Sequence, residues 1–534
     1  MRHKKRQRNR LITSILASMV ALSAVSQTAG GRPQLVVEIM IDQLRSDYIE
    51  LLQNHFGENG FKLLVQNGAC FENVDFNIDN LDIVSSTAMF VTGAYPRING
   101  LSSAKVYDVQ KRISKKILCD PDKLGNFTSE KLSPQALQVS TVSDELKMNG
   151  GGLGYVYSIA PDAQQAIILA GHAGNGAYWI NDVNGKWSTT TYYADVPQFI
   201  TNRNYKMPLS TRIDTMSWSP MMDLTDYPGI PALKKYYPFK YIFPSSRKDR
   251  YEKYKKSALV NEEVTSVALD FLKSLNMGRR GEMDMLNIAY TLSSYSSDAG
   301  YGSVELQDKY LRLDKQLGRL FDAIDRSVGL KNTLVVVSST GYFEDDTPVD
   351  AKYNIPSGVF TPSKAKSLLN LYLMAVYGNA QWVDDYNDKC FYLNRKLINE
   401  RNINLKEIRK NASDFLRRMS GVVESYSIDE IIDNPVGMKA QRMQNGVVAG
   451  HSGDIIVEIM PGWTILASDN HTHVQKEKYV RSCAISSPVY FLHPSIKAQK
   501  INTPVDATIL APTVSRLLRI RSPNAATEKP YVFE

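Results

Sequence analysis

The residue types able to do chemistry gather at a few places along the chain. Asp42 closes the apolar run Leu35-Val36-Val37-Glu38-Ile39-Met40-Ile41. Residues 76–93 pass Asp79 and Asp82, then meet the hydroxyls Ser85-Ser86-Thr87 ahead of Ala88-Met89-Phe90-Val91, with Gly93 and Pro96 beyond. A serine-rich run at 293–297 leads to Asp298, a second strand-like run ends in Ser339-Thr340-Gly341, and His471 and His473 flank Thr472. A strand feeding a helix through a polar turn offers free N–H groups to an anion, which suits a nucleophile just before the helix. Ser85-Ser86-Thr87 reads as the N-cap of a short apolar helix that Gly93 stops. The residues immediately ahead of that cap are Ile83 and Val84, neither of which can attack anything.

Each of these groups also has an ordinary structural use. An aspartate at a strand end commonly caps the following helix, and a serine at a helix start is usually a cap. Two histidines one residue apart share a face when extended, but a loop pair of this kind is more often unliganded. The turn Gly171-His172-Ala173-Gly174-Asn175-Gly176 could cradle a ligand, or could simply allow unusual backbone angles.

The elements that must position these residues follow from periodicity. Residues 35–41, 155–159, 166–170, 285–290 and 334–337 read as buried strands. Residues 264–275 form an amphipathic helix, and Leu306, Tyr310, Leu313, Leu317, Leu320 and Ile324 share one face of a longer one. Residues 454–460 and 463–467 read as a strand pair turned at Pro461-Gly462, followed by a strand at 488–492 and a helix at 507–518. Strands alternating with helices predict an α/β fold, a mostly parallel central sheet flanked by helices. Two large irregular insertions, about 102–255 and about 345–445, interrupt a single domain over 32–534.

The first ten residues carry six cations, and the apolar run 11–25 follows, then small residues to Gly31. That is the pattern of a signal peptide over 1–31, which predicts export to the periplasm of a Gram-negative envelope. The formal charge is +8, and removing those six leaves +2 for the mature chain, so a nucleic-acid partner is not indicated. No later stretch approaches the length of a transmembrane helix. Cys70, Cys119, Cys390 and Cys483 are widely spaced without a CxxC, which excludes a zinc ribbon and leaves any pairing open.

Several motifs are recognisable together. Val36-Val37-Glu38-Ile39-Met40-Ile41-Asp42-Gln43-Leu44-Arg45-Ser46-Asp47-Tyr48, Thr92-Gly93-Ala94-Tyr95-Pro96-Arg97-Ile98-Asn99-Gly100 and Ser452-Gly453-Asp454-Ile455 resemble the alkaline phosphatase superfamily. The resemblance is to its type I phosphodiesterase/nucleotide pyrophosphatase branch, and within it to PafA-type exported alkaline phosphatases of Bacteroidetes. It runs in order through nearly all of the mature chain. The family implies two zinc ions held by three aspartates and three histidines, and a Thr or Ser nucleophile; the cations activate the hydroxyl and offset phosphate charge.

Mapped onto this sequence, that inventory is poor. Asp42 matches the first metal aspartate, the nucleophile falls on Ile83, and the Asp/His pair before the long helix falls within 293–297. The strand-end Asp-His-Gly becomes Ser339-Thr340-Gly341, and the last histidine falls on His471 or His473. The phosphate-clamping Asn falls near Ala104, and the Lys-x-Arg near Ala160-Pro161-Asp162. The expectation is a catalytically inactive exported family member that binds or scaffolds in the envelope, with no catalytic residue and no cofactor. Asp42, His471 and His473 would be a metal remnant, and Thr87, Ser339 and Thr340 neutral groups lining a ligand pocket. Its partner would be an envelope protein or a small phosphorylated ligand. The alternative is a metal-dependent phosphomonoesterase or phosphodiesterase with zinc in a displaced site, where Ser85 or Ser86 attacks and Asp82, Asp298, His471 or His473 assist.

Overall fold

A computed structural model describes residues 31–193, 196–229, 238–296, 302–343, 357–387, 389–468, 475–480 and 485–533. At its centre lies β1 (Leu35–Asp42), every residue of which is buried. Such a continuous apolar strand suits the middle of a parallel sheet covered on both faces. β1 pairs in parallel with β2 (Asp284–Thr291) on one side and β3 (Thr333–Ser339) on the other. This register brings Asp42 beside Thr291, and Ile41 beside Ser339. Among the described residues the sheet has ten strands, parallel through its middle and antiparallel where Val489–Leu492 joins β3. The fold is thus the expected α/β architecture.

Alternation along β1 divides the core. Leu35, Val37, Ile39 and Ile41 face a cluster shared with helix α1 (Leu259–Ser274) and helix α2 (Val304–Ser327). All six apolar residues predicted to line one face of α2 are buried there. Val36 and Met40 face the opposite cluster, which includes Val84, Ala88 and Phe90.

Three readings change. Residues 166–170 belong to a helix, Ala163–Ala170, and not to a strand. Asp162 caps it by accepting from the Gln164 and Gln165 N–H groups at 2.8 and 3.2 Å, and Gly171 with φ +68° ends it. A short apolar run fits either element, and here the cap decides. Ile455–Ile459 and Trp463–Ser468 are both strands, but they do not pair. The first lies between Cys390–Leu393 and Val422–Ser427, so both its edges are taken; the second pairs with Gly358–Phe360 and Gln475–Tyr479. Finally, the second insertion, read as irregular and helical, has its helices but is ordered by a sheet as well. A four-stranded sheet and helices Pro362–Tyr377 and Leu405–Leu416 enclose an apolar centre of their own, including Leu373, Phe391, Ile408 and Val457. We call this lobe the cap. The first insertion likewise contains four strands of the central sheet, Gly125–Asn126, Val156–Ala160, Gly176–Ile180 and Trp187–Thr190.

Candidate functional site

β1 delivers Asp42 to the carboxyl end of the sheet, where α/β proteins gather ligand-binding groups. Asp42 is 6% exposed. The Thr340 hydroxyl donates to Asp42 Oδ1 at 3.1 Å, and the Gln43 amide donates to Oδ2 at 3.3 Å. Gln43 has φ +64°, which carries its N–H to Thr340 Oγ1 at 3.2 Å. A positive φ on a side chain of this size is uncommon, so the chain turns sharply to tie β1 to the end of β3. Ser339 Oγ donates to the Leu44 carbonyl at 2.7 Å and accepts from the Gly341 N–H at 3.1 Å. Gly341 (φ +65°) lies against the Phe76 ring: a Cβ there would sit 2.4 Å from it. Ser339 and Thr340, expected to line a pocket, are fully buried and knit two strand ends together.

The nucleophile frame follows. The helix runs Ile83–Thr92, and its N-cap is Asp82 rather than Ser85-Ser86-Thr87. Asp82 Oδ1 accepts from the N–H groups of Val84 and Ser85 at 3.0 and 2.8 Å and from Ser85 Oγ at 2.9 Å. Its other oxygen accepts from the Ala104 N–H at 2.6 Å. Ser85 Oγ in turn accepts from the Asp82 N–H at 3.0 Å, completing a reciprocal capping box. Ile83 is therefore the first helical residue, half-buried against the second apolar cluster.

A helix N-terminus attracts an anion through its unpaired N–H groups. Here the chain's own carboxylate occupies that seat. Ser85, Ser86 and Thr87 have no exposed surface. The Ser86 and Thr87 hydroxyls both donate back to the Ile83 carbonyl, the first at 3.3 Å. The sequence reading missed Asp82 as a cap because three hydroxyl residues follow it; the Asp-x-x-Ser spacing was the available signal.

The clamp positions have structural uses as well. Ala104 donates its N–H to Asp82, and Asp162 caps a helix. His172 is held through both ring nitrogens, by Asp144 Oδ2 at 3.0 Å and the Leu137 carbonyl at 2.9 Å. The bond to Asp144 raises the imidazole pKa against the effect of burial. Burial opposes ionisation of Asp144, but His172 and the N–H groups of Ala173 and Thr141 outweigh it and hold the carboxyl below its usual range. The turn at 171–176 is thus a clasp between two helices.

The family's zinc pair can be tested against these donors. Among the described residues no three His, Cys, Asp or Glu side chains come together as a metal-binding group. Among the described residues Asp42 is bonded by the hydroxyl of Thr340 and the amide of Gln43, whereas zinc takes imidazole or carboxylate. Asp298, His471, His473 and Cys483 lie outside the described residues, as does Ser297. Ser293 is buried and bonded to Thr291 Oγ1. Among the described residues Cys70 and Cys119 are free thiols.

The loop carrying Asp79 and Asp82 is fastened to the cap. Arg442 forms a two-bond ion pair with Asp75 at 2.8 and 2.9 Å, Asn445 donates to the Asn77 carbonyl at 3.1 Å, and Lys389 lies 3.1 Å from Asp79. Burial opposes ionisation of Asp79, but Lys389, with Lys439 and Arg442 beyond it, holds the carboxyl below its usual range.

Comparison with known proteins agrees with the geometry. The family model for type I phosphodiesterase/nucleotide pyrophosphatase matches residues 36–482. The alkaline phosphatase PafA of Elizabethkingia meningoseptica is 27% identical, over 97% of both chains. The alkaline phosphatase PhoV of Synechococcus elongatus is also 27% identical, over 93% of this chain and 92% of that one. The crystal structure of wild-type PafA superposes with a TM-score of 0.80 at 25% identity, covering 94% of this chain and 99% of that one. The murine ectonucleotide pyrophosphatase/phosphodiesterase 5 shares the fold alone, with a TM-score of 0.51 at 11% identity over 93% and 97% of the two chains. With the family model spanning 36–482 and the fold shared with PafA, this chain belongs to the type I phosphodiesterase/nucleotide pyrophosphatase family of the alkaline phosphatase superfamily, on the PafA-like side.

Proposed function

We propose that this chain is a catalytically silent member of its family, exported to the cell envelope and acting there by binding. One observation carries the reading. The first helical residue is Ile83, and the N–H groups behind it are taken by Asp82, so the position lacks both a nucleophile and a free seat for phosphate. The displaced nucleophiles Ser85 and Ser86 are fully buried, and their hydroxyls already have partners inside the same turn. An alkyl side chain forms no covalent intermediate, and a fixed carboxylate in the anion seat repels a phosphate oxygen.

A second reading is a zinc-dependent phosphoester hydrolase, favoured by the full-length likeness to proteins named alkaline phosphatases. The two separate in one experiment: elemental analysis of the purified mature protein after dialysis, beside turnover of aryl phosphate mono- and diesters. The silent reading expects well under two equivalents of zinc and no sustained turnover. Two tightly held zinc ions, or turnover that survives repurification and is lost in Ser85→Ala or Ser86→Ala, would establish the hydrolase instead.

A further inference from the structure

Helix α3 (Pro362–Tyr377) seals the apolar centre of the cap with Ala365, Leu369 and Leu373, all buried. Its outer face would then ordinarily be polar, and it is not. Lys364, Leu368, Leu371 and Ala375 recur at spacings of four, three and four, which puts them on one side of the helix, and all four are exposed. Leu368 and Leu371 keep 48% and 59% of their surface open. A helix that is apolar all round is normally covered all round.

Cations frame this ridge. Lys364 stands one turn before Leu368. One turn after Ala375 comes Gly378, where a Cβ would lie 3.8 Å from Arg401 Nη1. Helix α4 (Leu405–Leu416) runs alongside in the opposite direction: Phe415 stacks on Tyr372 with ring centroids 4.6 Å apart, and Asn411 donates to the Tyr377 hydroxyl at 2.7 Å. It brings Lys410 and, just past its end, Arg418, both exposed. Among the described residues none of these four cations forms an ion pair, whereas Lys366 turns inward and donates to the Asp384 carbonyl at 2.6 Å. No acid occurs between residues 361 and 383. Of the two acids on α4, Asp414 already pairs with Arg417 at 3.5 Å, which leaves Glu407.

An apolar ridge in a positive surround narrows what can cover it. A second copy of the chain, docked ridge on ridge, brings cationic end against cationic end whether the two helices run parallel or antiparallel. A protein of another kind would look for about one hydrogen bond per 100–200 Å² of contact. Leu368, Leu371 and Ala375 have none to give, since their backbone groups are spent inside the helix. A lipid surface needs no such matching. Aliphatic side chains on a convex ridge enter the boundary between headgroups and acyl chains, while Lys and Arg heads on long stems meet anionic headgroups.

We propose that the outer face of α3 docks the protein on an anionic lipid surface, with Leu368 and Leu371 in the acyl boundary and Lys364, Arg401, Lys410 and Arg418 on the headgroups. The proposal names the partner for the binding role in the envelope and rests on that role; it uses neither Asp42 nor Ile83.

The test is flotation of the mature protein with vesicles of phosphatidylcholine alone, and of equal parts phosphatidylcholine and phosphatidylglycerol, at low and high salt. The expected result is binding to the anionic vesicles, weakened by salt and at least tenfold weaker on phosphatidylcholine alone. Leu368→Ser with Leu371→Ser should weaken it at least tenfold without lowering the melting temperature. Lys364→Gln with Arg401→Gln should weaken it less and flatten the salt dependence. Val183→Ser, which alters a side chain 82% exposed on the core, should leave it unchanged. Absence of binding to the anionic vesicles overturns the proposal, as does binding that the double leucine variant retains. A dimer that this variant abolishes would assign the ridge to a second copy, and a marked fall in its melting temperature would show that the chain itself covers the face; either result also overturns it. Zinc content and turnover are read on the same samples, so failure to bind lipid beside absent zinc and absent turnover would remove the lipid partner and leave the silent sheet end standing.

Discussion

The sheet end and a small cavity of about 60 Å³ under the cap, lined by Asp79 and Asn80, draw on one loop, yet they treat polar groups in opposite ways. At the sheet end the chain answers itself. Thr340 donates to Asp42, Ser339 to Leu44, and Asp82 absorbs four donors from its own helix and Ala104. Three residues upstream, Asp79 lines a cavity whose neighbouring imidazole has a buried nitrogen unmatched. Internal satisfaction of this kind is the mark of structure, and a buried polar atom without a partner asks for a ligand or a water.

The strongest challenge to that contrast is Glu38, which sits below Asp42 on β1. It is 1% exposed, its Oε2 has no partner among the described residues, and burial pushes its pKa to about 8. The facing Asn287 in β2 has an unmatched Oδ1, and Ser158 beyond it an unmatched Oγ. A proton on Glu38 supplies the missing donor, so the carboxyl is neutral below about pH 8. Its folded pKa lies above its ordinary 4.5, so the folded state holds the extra proton between the two values. Stability from this group is full below about pH 4.5, falls as pH rises to about 8 and then levels, by up to about 5 kcal/mol. Glu263 runs the other way. Burial opposes its ionisation, but Arg212 and Arg203 hold its carboxyl at about 2, so its contribution persists above 4.5 and is lost only as pH falls towards 2. Chemical denaturation from pH 5 to 9 should therefore show the Glu38 slope, and Glu38→Gln should flatten it. An unchanged slope would mean that Glu38 already ionises with a partner, and the core would then be as well matched as the sheet end.

The next effect down belongs to Asp82. Asp82→Ala strips a helix cap and leaves the Ala104 N–H unanswered, and should lower stability by about 2–3 kcal/mol. Asp82→Asn keeps an acceptor for the helix but turns an amide towards one donor, so its loss should be smaller. If Asp82→Ala melted like the parent, the carboxylate would not be the group that fills the anion seat. Arg442→Ala should matter less again. The pair with Asp75 is about two-fifths exposed on both sides, so its loss should cost no more than about 1 kcal/mol. Its readout is faster hydrogen exchange in residues 75–82 with the sheet unchanged; a uniform change would deny that the cap fastens this loop.

What the sequence disclosed, and what it hid, follows the range of the forces involved. β1 and the face of α2 were legible because periodic burial is written locally. Residues 166–170 were misread because five apolar residues carry no period, and the deciding group is Asp162 outside the run. The cap sheet was hidden because a strand such as Val383-Asp384-Asp385-Tyr386-Asn387 is mostly polar and reads as loop. Asp82 was overlooked in favour of the hydroxyls after it. The cavity under the cap could not be read at all, since Asp79 and His451 meet only through the packing of cap on core.

The smallest expected effect bears most directly on the proposed silence of the sheet end. Ile83→Thr restores a hydroxyl where the family has its nucleophile, and it should restore nothing else. Ile83 is only half-buried, so the substitution should cost about 1–2 kcal/mol and leave a folded protein. A threonine hydroxyl attacks phosphorus usefully only when a metal or base activates it. At this helix start the carboxylate of Asp82 is already accepting from Val84, Ser85 and Ala104 and would repel an incoming phosphate. Thr340 beside Asp42 gives a neutral oxygen where a cation needs charge. On the silent reading proposed above, the electrostatic contribution that usually dominates such reactions is missing even with the hydroxyl in place. In a zinc-supplemented assay the folded variant should turn over aryl phosphates no faster than the parent. Robust turnover from this one change would require a working metal site with ligands such as His471 and His473, and the sheet end would then be a live centre lacking only its nucleophile.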